Sequence, residues 1–355
     1  MITAQAPGKL YVAGEYAVVE TGFPAIIVAL DQFVTVTVEA TKHFGSIVSE
    51  QYQENSLYWQ RQGDEMVFDN RDNPFHYILS AIKLTEQYAR ELDKPLALYK
   101  LYIDSQLDAK DGKKYGSSAA VTVATIKALA KFYDLKMSKD QIYKLAAIAH
   151  LDVQGNGSLG DIAASVYGGW IAYRSFDKAW LAAARNQMSL ADLINTDWPE
   201  LSIELLPAPA DMQLLVGWTG SPASTSQLVD KITLAKAKKP QLYRDFLTAS
   251  RETLEKLIDG FRNRSLSSIQ AGIRRNRELL DELAHFSGVA IQTPALRQLV
   301  ELAEQAGGAA KSSGAGGGDC GSGLIASHQA IKPLLAAWRD HHIEPLKFNV
   351  HEIND

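Results

Sequence analysis

The chain has 355 residues, of which 46% are hydrophobic and 22% are charged, a composition typical of globular proteins. Its net charge of −5 argues against a nucleic-acid partner, because a protein that binds phosphate backbones presents a basic face. No apolar run reaches the roughly 20 residues that cross a bilayer, and no signal-peptide pattern opens the chain, so we expect no membrane partner. The single cysteine, Cys320, excludes an internal disulfide and fits a cytoplasmic location.

The first half of the chain predicts a mixture of strands and helices. Residues 33–38 alternate apolar and hydroxyl side chains, and residues 96–103 form a second strand-like run. Apolar residues recur at helical spacing over 75–92. An alanine-rich segment over 118–132 predicts another helix, and a capping-box pattern opening at Ser138 predicts a further one that ends near His150.

A change of composition at residues 206–209 predicts a boundary between a domain at 1–206 and a domain at 210–355. The second domain begins with a strand-like run at 214–216. Helical patterns follow near 222–237, 241–260, 265–285 and 294–306, and Pro294 stands in the first turn of the last one. Strands are predicted at 322–327 and 345–350, around a helix near 329–340. This interspersed order favours an α+β fold.

The run at 309–321 contains five glycines between two apolar segments. Glycine backbones approach a ligand closely, and successive main-chain amides can form a nest around an anion such as phosphate. A turn between two strands without any ligand is the alternative. Cys320 is expected to be a small residue packed beside this run.

A second anion site is predicted at 113–120, where Lys114, Gly116, Ser117 and Ser118 precede the alanine-rich helix. A helix start presents unpaired N–H groups and the positive end of the helix dipole. Ser117 or Ser118 could hold a phosphate or its magnesium ion, or simply cap the helix. The spacing excludes a Walker A loop.

Two charged residues stand in apolar segments. Lys9 follows Pro7 and Gly8 in a strand-like stretch, where an ammonium group is costly to bury unless it meets an anion. A surface lysine that extends its charged end to water is the alternative. Asp161 opens an apolar segment after Ser158, and it could cap a helix, hold a metal or orient a substrate hydroxyl.

In this order, these segments resemble the GHMP small-molecule kinase superfamily. The resemblance involves 7–9 with 14–15, then 116–119, 157–161 and 311–321, so it extends over nearly the whole chain. Within the superfamily, residues 217–225 resemble the Trp-Thr-Gly-x-Pro-Ala-Ser-Thr segment of bacterial phosphomevalonate kinases. The resemblance implies an N-terminal domain like that of ribosomal protein S5 and a ferredoxin-like C-terminal domain.

The implied reaction is the transfer of a phosphoryl group from ATP to 5-phosphomevalonate, with Mg²⁺, in the mevalonate route to isoprenoids. The nucleotide is expected at Lys114, Gly116, Ser117, Ser118 and Ala119, with Ser117 as a metal ligand. The acceptor is expected at Gly14, Glu15, Tyr16, Ser158, Ser221, Ala223, Ser224, Thr225, Gly316 and Gly317. Lys9 and Asp161 are the predicted catalytic residues. Lys9 carries more weight because a phosphate acceptor is largely ionised at neutral pH and needs little help from a base.

One departure from the superfamily concerns Lys114 and Tyr115, which stand where Gly-Leu is usual. A lost glycine narrows the conformations of the phosphate loop. Three other readings of the chain stay open: a kinase of the same fold with another acceptor, such as mevalonate kinase; a diphosphomevalonate decarboxylase; and a metabolite sensor without turnover.

Overall fold

A computed structural model of the chain describes residues 1–50, 56–69, 73–107, 117–220 and 225–352. The chain forms two compact units, each assembled from separate segments. Unit 1 contains Met1–Lys9, Asp31–Gly168 and Asp177–Pro199, and unit 2 contains Leu10–Leu30, Gly169–Phe176 and Glu200–Asp355. The boundary predicted at 206–210 divides the chain into two continuous domains, which differ in kind from these units, and it stays a prediction.

The described strands and helices are as follows, in chain order. The strands are β1 (Ile2–Ala13), β2 (Pro24–Ala40), β3 (Gly45–Ser49), β4 (Leu57–Gln62), β5 (Glu65–Phe68), β6 (Tyr99–Ser105), β7 (Trp170–Arg174), β8 (Ser202–Leu206), β9 (Met212–Trp218), β10 (Ala309–Ser312), β11 (Cys320–Ala326) and β12 (Glu344–Leu346). The helices are α1 (His76–Glu91), α2 (Ser117–Phe132), α3 (Lys139–Gln154), α4 (Gly160–Tyr167), α5 (Lys178–Ala184), α6 (Leu190–Asn195), α7 (Thr225–Lys238), α8 (Pro240–Arg262), α9 (Leu266–Ser287), α10 (Pro294–Gln305) and α11 (Ile331–Asp340). This mixture confirms the α+β class.

Most predicted elements lie within a few residues of their expected bounds. The capping box of α3 is present: Ser138 Oγ accepts from the Gln141 amide at 3.2 Å, and Gln141 Oε1 accepts from the Ser138 amide at 2.7 Å. Pro294 is the first residue of α10. The strand predicted at 345–350 is wrong beyond Leu346, because the chain then leaves β9 and Val350 forms a single bridge with Leu30.

In unit 1, β6 is an inner strand of a mixed sheet. It pairs in parallel with β3 and antiparallel with the second half of β2, and β4 and β5 continue the sheet beyond β3. Helices α1, α2 and α3 pack on one another, and α4 packs on α2 and α3. The ring of Tyr99 lies 5.1 Å from that of Trp59 and 5.4 Å from that of Phe132 in α2, so aromatic packing joins helix and sheet.

Unit 2 contains an antiparallel sheet in the order β10-β11-β9-β12. An apolar cluster that includes Leu299 of α10 and Trp338 of α11 packs with Leu215 and Ile325 from this sheet. The first half of β2 pairs with β7, which pairs with β8. A second apolar cluster joins Tyr16, after β1, to residues of α7, α8 and α9. The glycine-rich run therefore lies between two buried strands, β10 and β11, as predicted.

Candidate active site

Lys9 stands in β1, in unit 1, and is half-buried. Two residues before it, the carbonyl of Pro7 accepts a hydrogen bond of 2.8 Å from Ser165 Oγ in α4. Ser165 is fully buried, so this bond fixes α4 against the strand that carries Lys9. Asp161 lies in the first turn of the same helix. One buried hydrogen bond thus connects the elements that carry the two predicted catalytic residues.

Helix α2 is described from Ser117 onward, one residue before the start that the sequence predicts. Ser117 and Ser118 are half-buried, and Ala119 is buried. The first amides of a helix have no acceptor inside it, and the helix dipole adds positive potential there, so this end suits an anion. Lys114 and Gly116, which the sequence places in the same loop, lie outside the described residues. The role of this loop in nucleotide binding stays a prediction.

Ser158 and Asp161 flank a strained turn. Leu159 has φ 66° and ψ 13°, in the left-handed region that leucine rarely adopts, and it occupies the N-cap position of α4 without a side-chain hydrogen bond to the helix. The amide of Gly160 donates to Ser158 Oγ at 3.4 Å, and Ser158 is only 8% exposed. Asp161 is half-buried in the first turn of α4. Strain of this kind is found at ligand sites, where the surrounding structure enforces it.

His150, in α3, is a site residue that the sequence analysis missed. It is 1% exposed, and its Nε2 lies 3.2 Å from Ser118 Oγ. Burial lowers the pKa of His150; the carboxylate of Asp161 acts in the opposite direction, and the charge of Lys9 lowers it further. The charges of Lys9 and Asp161 therefore act on the same histidine that contacts Ser118. In sequence, a histidine on an alanine-rich helix face gives no sign of this.

The predicted acceptor residues Gly14, Glu15 and Tyr16 lie in unit 2, at the turn after β1. Gly14 has φ +92°, and a Cβ atom there would lie 2.5 Å from the carbonyl oxygen of Pro24, so no side chain fits. Glu15 is 3% exposed and forms an ion pair with Lys311, which is 1% exposed. Lys311 Nζ also donates to the carbonyl of Ser312 at 2.7 Å. In this structure one oxygen of the Glu15 carboxylate is therefore engaged by Lys311.

The same turn is bonded to the glycine-rich loop between β10 and β11. Tyr16 OH donates to the carbonyl of Ala315 at 2.5 Å, and burial together with the charge of Glu15 raises the pKa of Tyr16. Ser313 Oγ donates to the carbonyl of Tyr11 at 2.8 Å. Burial lowers the pKa of Lys311, an effect that Glu15 opposes. These contacts, within unit 2, fix where the loop begins.

Within the loop, Gly314, Gly316, Gly317 and Gly318 all have positive φ angles. A Cβ atom on Gly316 would lie 2.4 Å from the carbonyl oxygen of Ile291, so the close approach requires glycine. The amide of Gly317 donates to that same oxygen at 2.7 Å and is thereby engaged. The predicted roles of Gly316 and Gly317 toward the acceptor stay predictions.

The remaining predicted acceptor residues precede α7. Ser221, Ala223 and Ser224 lie outside the described residues, and Thr225 is the first residue of the helix.

Cys320 is buried at the start of β11, as expected. In the part of the chain that the structure describes, no group of three or more His, Cys, Asp or Glu side chains is arranged to hold a metal ion. Nor does any helix in that part combine the length and apolar character of a membrane span.

Comparisons with known proteins identify the family. A sequence model of the GHMP kinases N terminal domain matches residues 76–169, and a model of the GHMP kinases C terminal domain matches residues 257–344. A phosphomevalonate kinase from a Streptomyces species is 35% identical to this chain, and the match covers 97% of the chain and 96% of that protein. The chain belongs to the GHMP kinase family.

Two crystal structures resemble this GHMP kinase over its full length. A protein from Listeria innocua is 38% identical, with a TM-score of 0.92, and the match covers 99% of this chain and 98% of that one. The Streptococcus pneumoniae phosphomevalonate kinase in complex with phosphomevalonate and AMPPNP is 31% identical, with a TM-score of 0.85. That match covers 99% of this chain and all of the other. The predicted two-domain GHMP kinase fold is thereby confirmed.

Proposed function

We propose that this GHMP kinase is a phosphomevalonate kinase. It transfers the γ-phosphoryl group of ATP to (R)-5-phosphomevalonate and releases ADP and (R)-5-diphosphomevalonate, in the mevalonate pathway. The observation that carries the proposal is the full-length similarity to phosphomevalonate kinases, one of which has a solved structure in complex with phosphomevalonate and AMPPNP. The reaction needs alignment and charge neutralisation more than covalent chemistry, and the cytoplasm remains its predicted location.

The start of α2 binds the phosphates of ATP in this proposal. Amides of the first turn of a helix have no acceptor inside it, and half-buried Ser117 and Ser118 add two hydroxyl groups to this turn. Lys114 and Gly116, which come just before Ser117 in the sequence, are assigned to the same nucleotide site. Because the positive potential of a helix end falls off within one turn, the phosphates must lie close to Ser117.

Lys9 neutralises the negative charge that develops during transfer. A half-buried ammonium group in a strand is held in place better than one on a flexible surface loop, and preorganised charge of this kind lowers a transition-state barrier. The attacking oxygen belongs to a phosphate whose second pKa is near 6, so it is largely ionised at neutral pH. Asp161 then orients the acceptor or holds a metal, and a role as base is less important.

The described donors fit Mg²⁺. This ion takes oxygen ligands and is held by one or two carboxylates together with substrate phosphates, rather than by a cage of protein groups. Ser117 is the proposed protein ligand, and the carboxylate of Asp161 acts on the same histidine that Ser118 contacts. When bound, Mg²⁺ offsets the charge of the phosphate oxygens.

The acceptor contacts Gly14, Glu15, Tyr16, Ser158, Gly316 and Gly317, and the segment from Ser221 to Thr225. Within unit 2, a hydrogen bond from Tyr16 joins the Gly14–Tyr16 turn to the glycine-rich loop, and the Glu15–Lys311 pair joins the turn to strand β10. Main-chain amides at such positions suit the phosphate and the carboxylate of phosphomevalonate.

A coupled assay with purified protein, ATP and Mg²⁺ tests the function. Phosphomevalonate and mevalonate are offered separately, and ADP release is measured. We expect turnover with phosphomevalonate and little with mevalonate. A preference for mevalonate, or CO₂ release from diphosphomevalonate, would replace the proposal with one of the related activities. ATP binding by calorimetry without any turnover would identify a sensor.

A further inference from the structure

The side chain of His150 is held firmly beside the start of α2. Its ring lies 4.8 Å from the ring of Tyr77, with 30° between the planes, and only 1% of the residue is exposed. Its Nε2 is 3.2 Å from Ser118 Oγ. Thr122 Oγ1 donates to the carbonyl of Ser118 at 2.8 Å, so the backbone of Ser118 is fixed as well. This histidine has no part in the proposed chemistry described above.

The hydrogen-bond environment of the ring decides which nitrogen carries the proton. Nδ1 is buried and has no hydrogen-bond partner among the described residues. Buried N–H groups without an acceptor are rare in proteins because their desolvation is costly. Burial also lowers the pKa of His150, which keeps the ring neutral at neutral pH. A neutral ring has one N–H, and Nε2 is the nitrogen that has a partner.

The hydroxyl of Ser118 then accepts from His150 and keeps its own hydrogen for another acceptor. A serine hydroxyl offers one donor and two acceptor positions, and the ring occupies one of the acceptor positions. Ser118 is half-buried at the positive end of α2. An anionic oxygen is the acceptor that such a helix end favours.

We propose that His150 is a positioning residue, whose Nε2–H orients the Ser118 hydroxyl so that Ser118 donates a hydrogen bond to a phosphate oxygen of ATP. His150 itself touches neither substrate. The proposal rests on the proposed function, and it leaves Ser117 as the hydroxyl assigned to Mg²⁺. It also gives a physical reason for a buried polar side chain at 150, next to the buried apolar residues Ile148 and Ala149.

Variants of His150 that differ in reach test the proposal. The amide of glutamine extends about as far as Nε2, whereas that of asparagine extends only about as far as Nδ1. We expect His150→Gln to keep the KM for ATP within about twofold. His150→Asn and His150→Leu should raise that KM by about three- to tenfold, the loss of one hydrogen bond, with the KM for phosphomevalonate nearly unchanged. Equal KM values for the glutamine and asparagine variants would overturn the proposal.

A double-mutant cycle with Ser118→Ala separates positioning from packing. If His150 acts only through Ser118, then His150→Asn adds little to the effect of Ser118→Ala on the KM for ATP. Additive effects would contradict the proposal. Ser80→Ala is the matched control, because Ser80 Oγ donates to the carbonyl of Ala149, next to His150, at 2.8 Å. It should leave the KM for ATP unchanged.

The tautomer can be read directly from ¹⁵N chemical shifts of the ring in the folded protein, which should show a protonated Nε2. A protonated Nδ1 would overturn the proposal. Thermal unfolding of each variant shows whether it folds. If His150→Leu does not fold, the comparison of His150→Gln with His150→Asn still tests the proposal. Turnover of phosphomevalonate by the unaltered protein tests the proposed function separately. If the unaltered protein turns over phosphomevalonate but the His150 variants keep the same KM for ATP, only the positioning role is refuted.

Discussion

Unusual backbone angles occur in the turn after β1, in the turn before α4 and in the glycine-rich loop, where many of the predicted site residues lie. Tyr16 and Leu159 have positive φ angles although they carry side chains, and both are almost fully buried. Gly14 and Gly316 have positive φ angles and also lie against backbone atoms. Such conformations cost free energy and persist only where the surrounding packing enforces them. At these positions the backbone itself, rather than a replaceable side chain, sets the shape of the candidate site.

Two glycines of the same loop provide a matched comparison. Gly314→Ala should cost about 1 kcal/mol, because φ is +70° but no atom lies within 4 Å of the new methyl group. Gly316→Ala adds a collision with the carbonyl of Ile291, so we expect a loss of about 2–4 kcal/mol. Urea unfolding measures both free energies. Equal losses would mean that the loop moves aside and does not depend on this close approach.

Replacing the predicted catalytic lysine should affect turnover far more than nucleotide binding. Lys9→Met keeps the length of the side chain and removes its charge, and we expect kcat to fall by a factor of about 100–1,000 while the affinity for ATP changes little. Lys131→Met is the control. Lys131 is an exposed lysine whose Nζ donates to the carbonyl of Thr3 in β1, the strand that also contains Lys9. A Lys9→Met enzyme with near-normal kcat would remove Lys9 from the mechanism.

At the scale of elements, the turn after β1 and strand β10 are joined by the Glu15–Lys311 pair. Lys311→Met leaves a carboxylate buried without its partner, so the free energy of unfolding should fall by about 3–5 kcal/mol. Lys236→Met breaks the more exposed pair with Glu20 and should cost about 1 kcal/mol or less. Urea unfolding compares the two variants.

The double variant Glu15→Gln with Lys311→Met separates the structural role of the pair from a role of Glu15 toward the acceptor. Because it leaves no buried charge unpaired, it should recover most of the lost stability. If Glu15 also contacts phosphomevalonate, the double variant folds but its KM for phosphomevalonate rises. Equal stability of the two single lysine variants would show that the buried pair contributes little.

Sequence predicts the elements of this fold whose signals are local. The capping box at Ser138 and the alanine-rich run after Ser117 predict α3 and α2 because helix starts depend on neighbouring residues. Strands β3, β4 and β5 were not predicted, because they are only 5, 6 and 4 residues long and carry too short a pattern. His150 could not be assigned either, since its partner Ser118 lies 32 residues away in another helix. The site depends on contacts that no local pattern reports.

At the scale of the whole molecule, each unit is assembled from segments that are far apart in the chain. Residues 10–30 and 169–176 belong to the unit that otherwise begins at Glu200. Strand β2 contributes its first half to one unit and its second half to the other. No single cut in the chain therefore yields an intact unit, although sequence patterns along the chain favour a simple boundary near 206–210.

Stability should fall steeply in alkaline solution. Burial raises the pKa of Tyr16, Tyr99, Tyr133 and Tyr243, and nearby glutamates raise it further. Below pH 10 these tyrosines are protonated in both states. Above pH 10 the unfolded chain loses the protons first, so each buried tyrosine lowers stability by about 1.4 kcal/mol per pH unit until it ionises in the folded state.

Tyr243→Phe tests this slope, since Tyr243 is 4% exposed and its hydroxyl donates to Glu20 at 3.1 Å. Between pH 10 and pH 11, where an unfolded tyrosine goes from about half to about nine-tenths ionised, the free energy of unfolding of the variant should decline by about 1 kcal/mol less than that of the unaltered protein. Urea unfolding at several pH values measures both. Parallel curves would show that Tyr243 ionises without unfolding.

The ion pair between Glu15 and Lys311 also bears on how the protein is made. The two residues are 296 positions apart, so a ribosome that adds 5–20 residues per second completes Lys311 roughly 15–60 s after Glu15. During that interval the carboxylate has no lysine to meet and stays hydrated, and the nascent chain cannot close the second unit around it. Much of that unit therefore assembles only after Lys311 has been synthesised, and a chaperone that shields its exposed strands would be most useful before then.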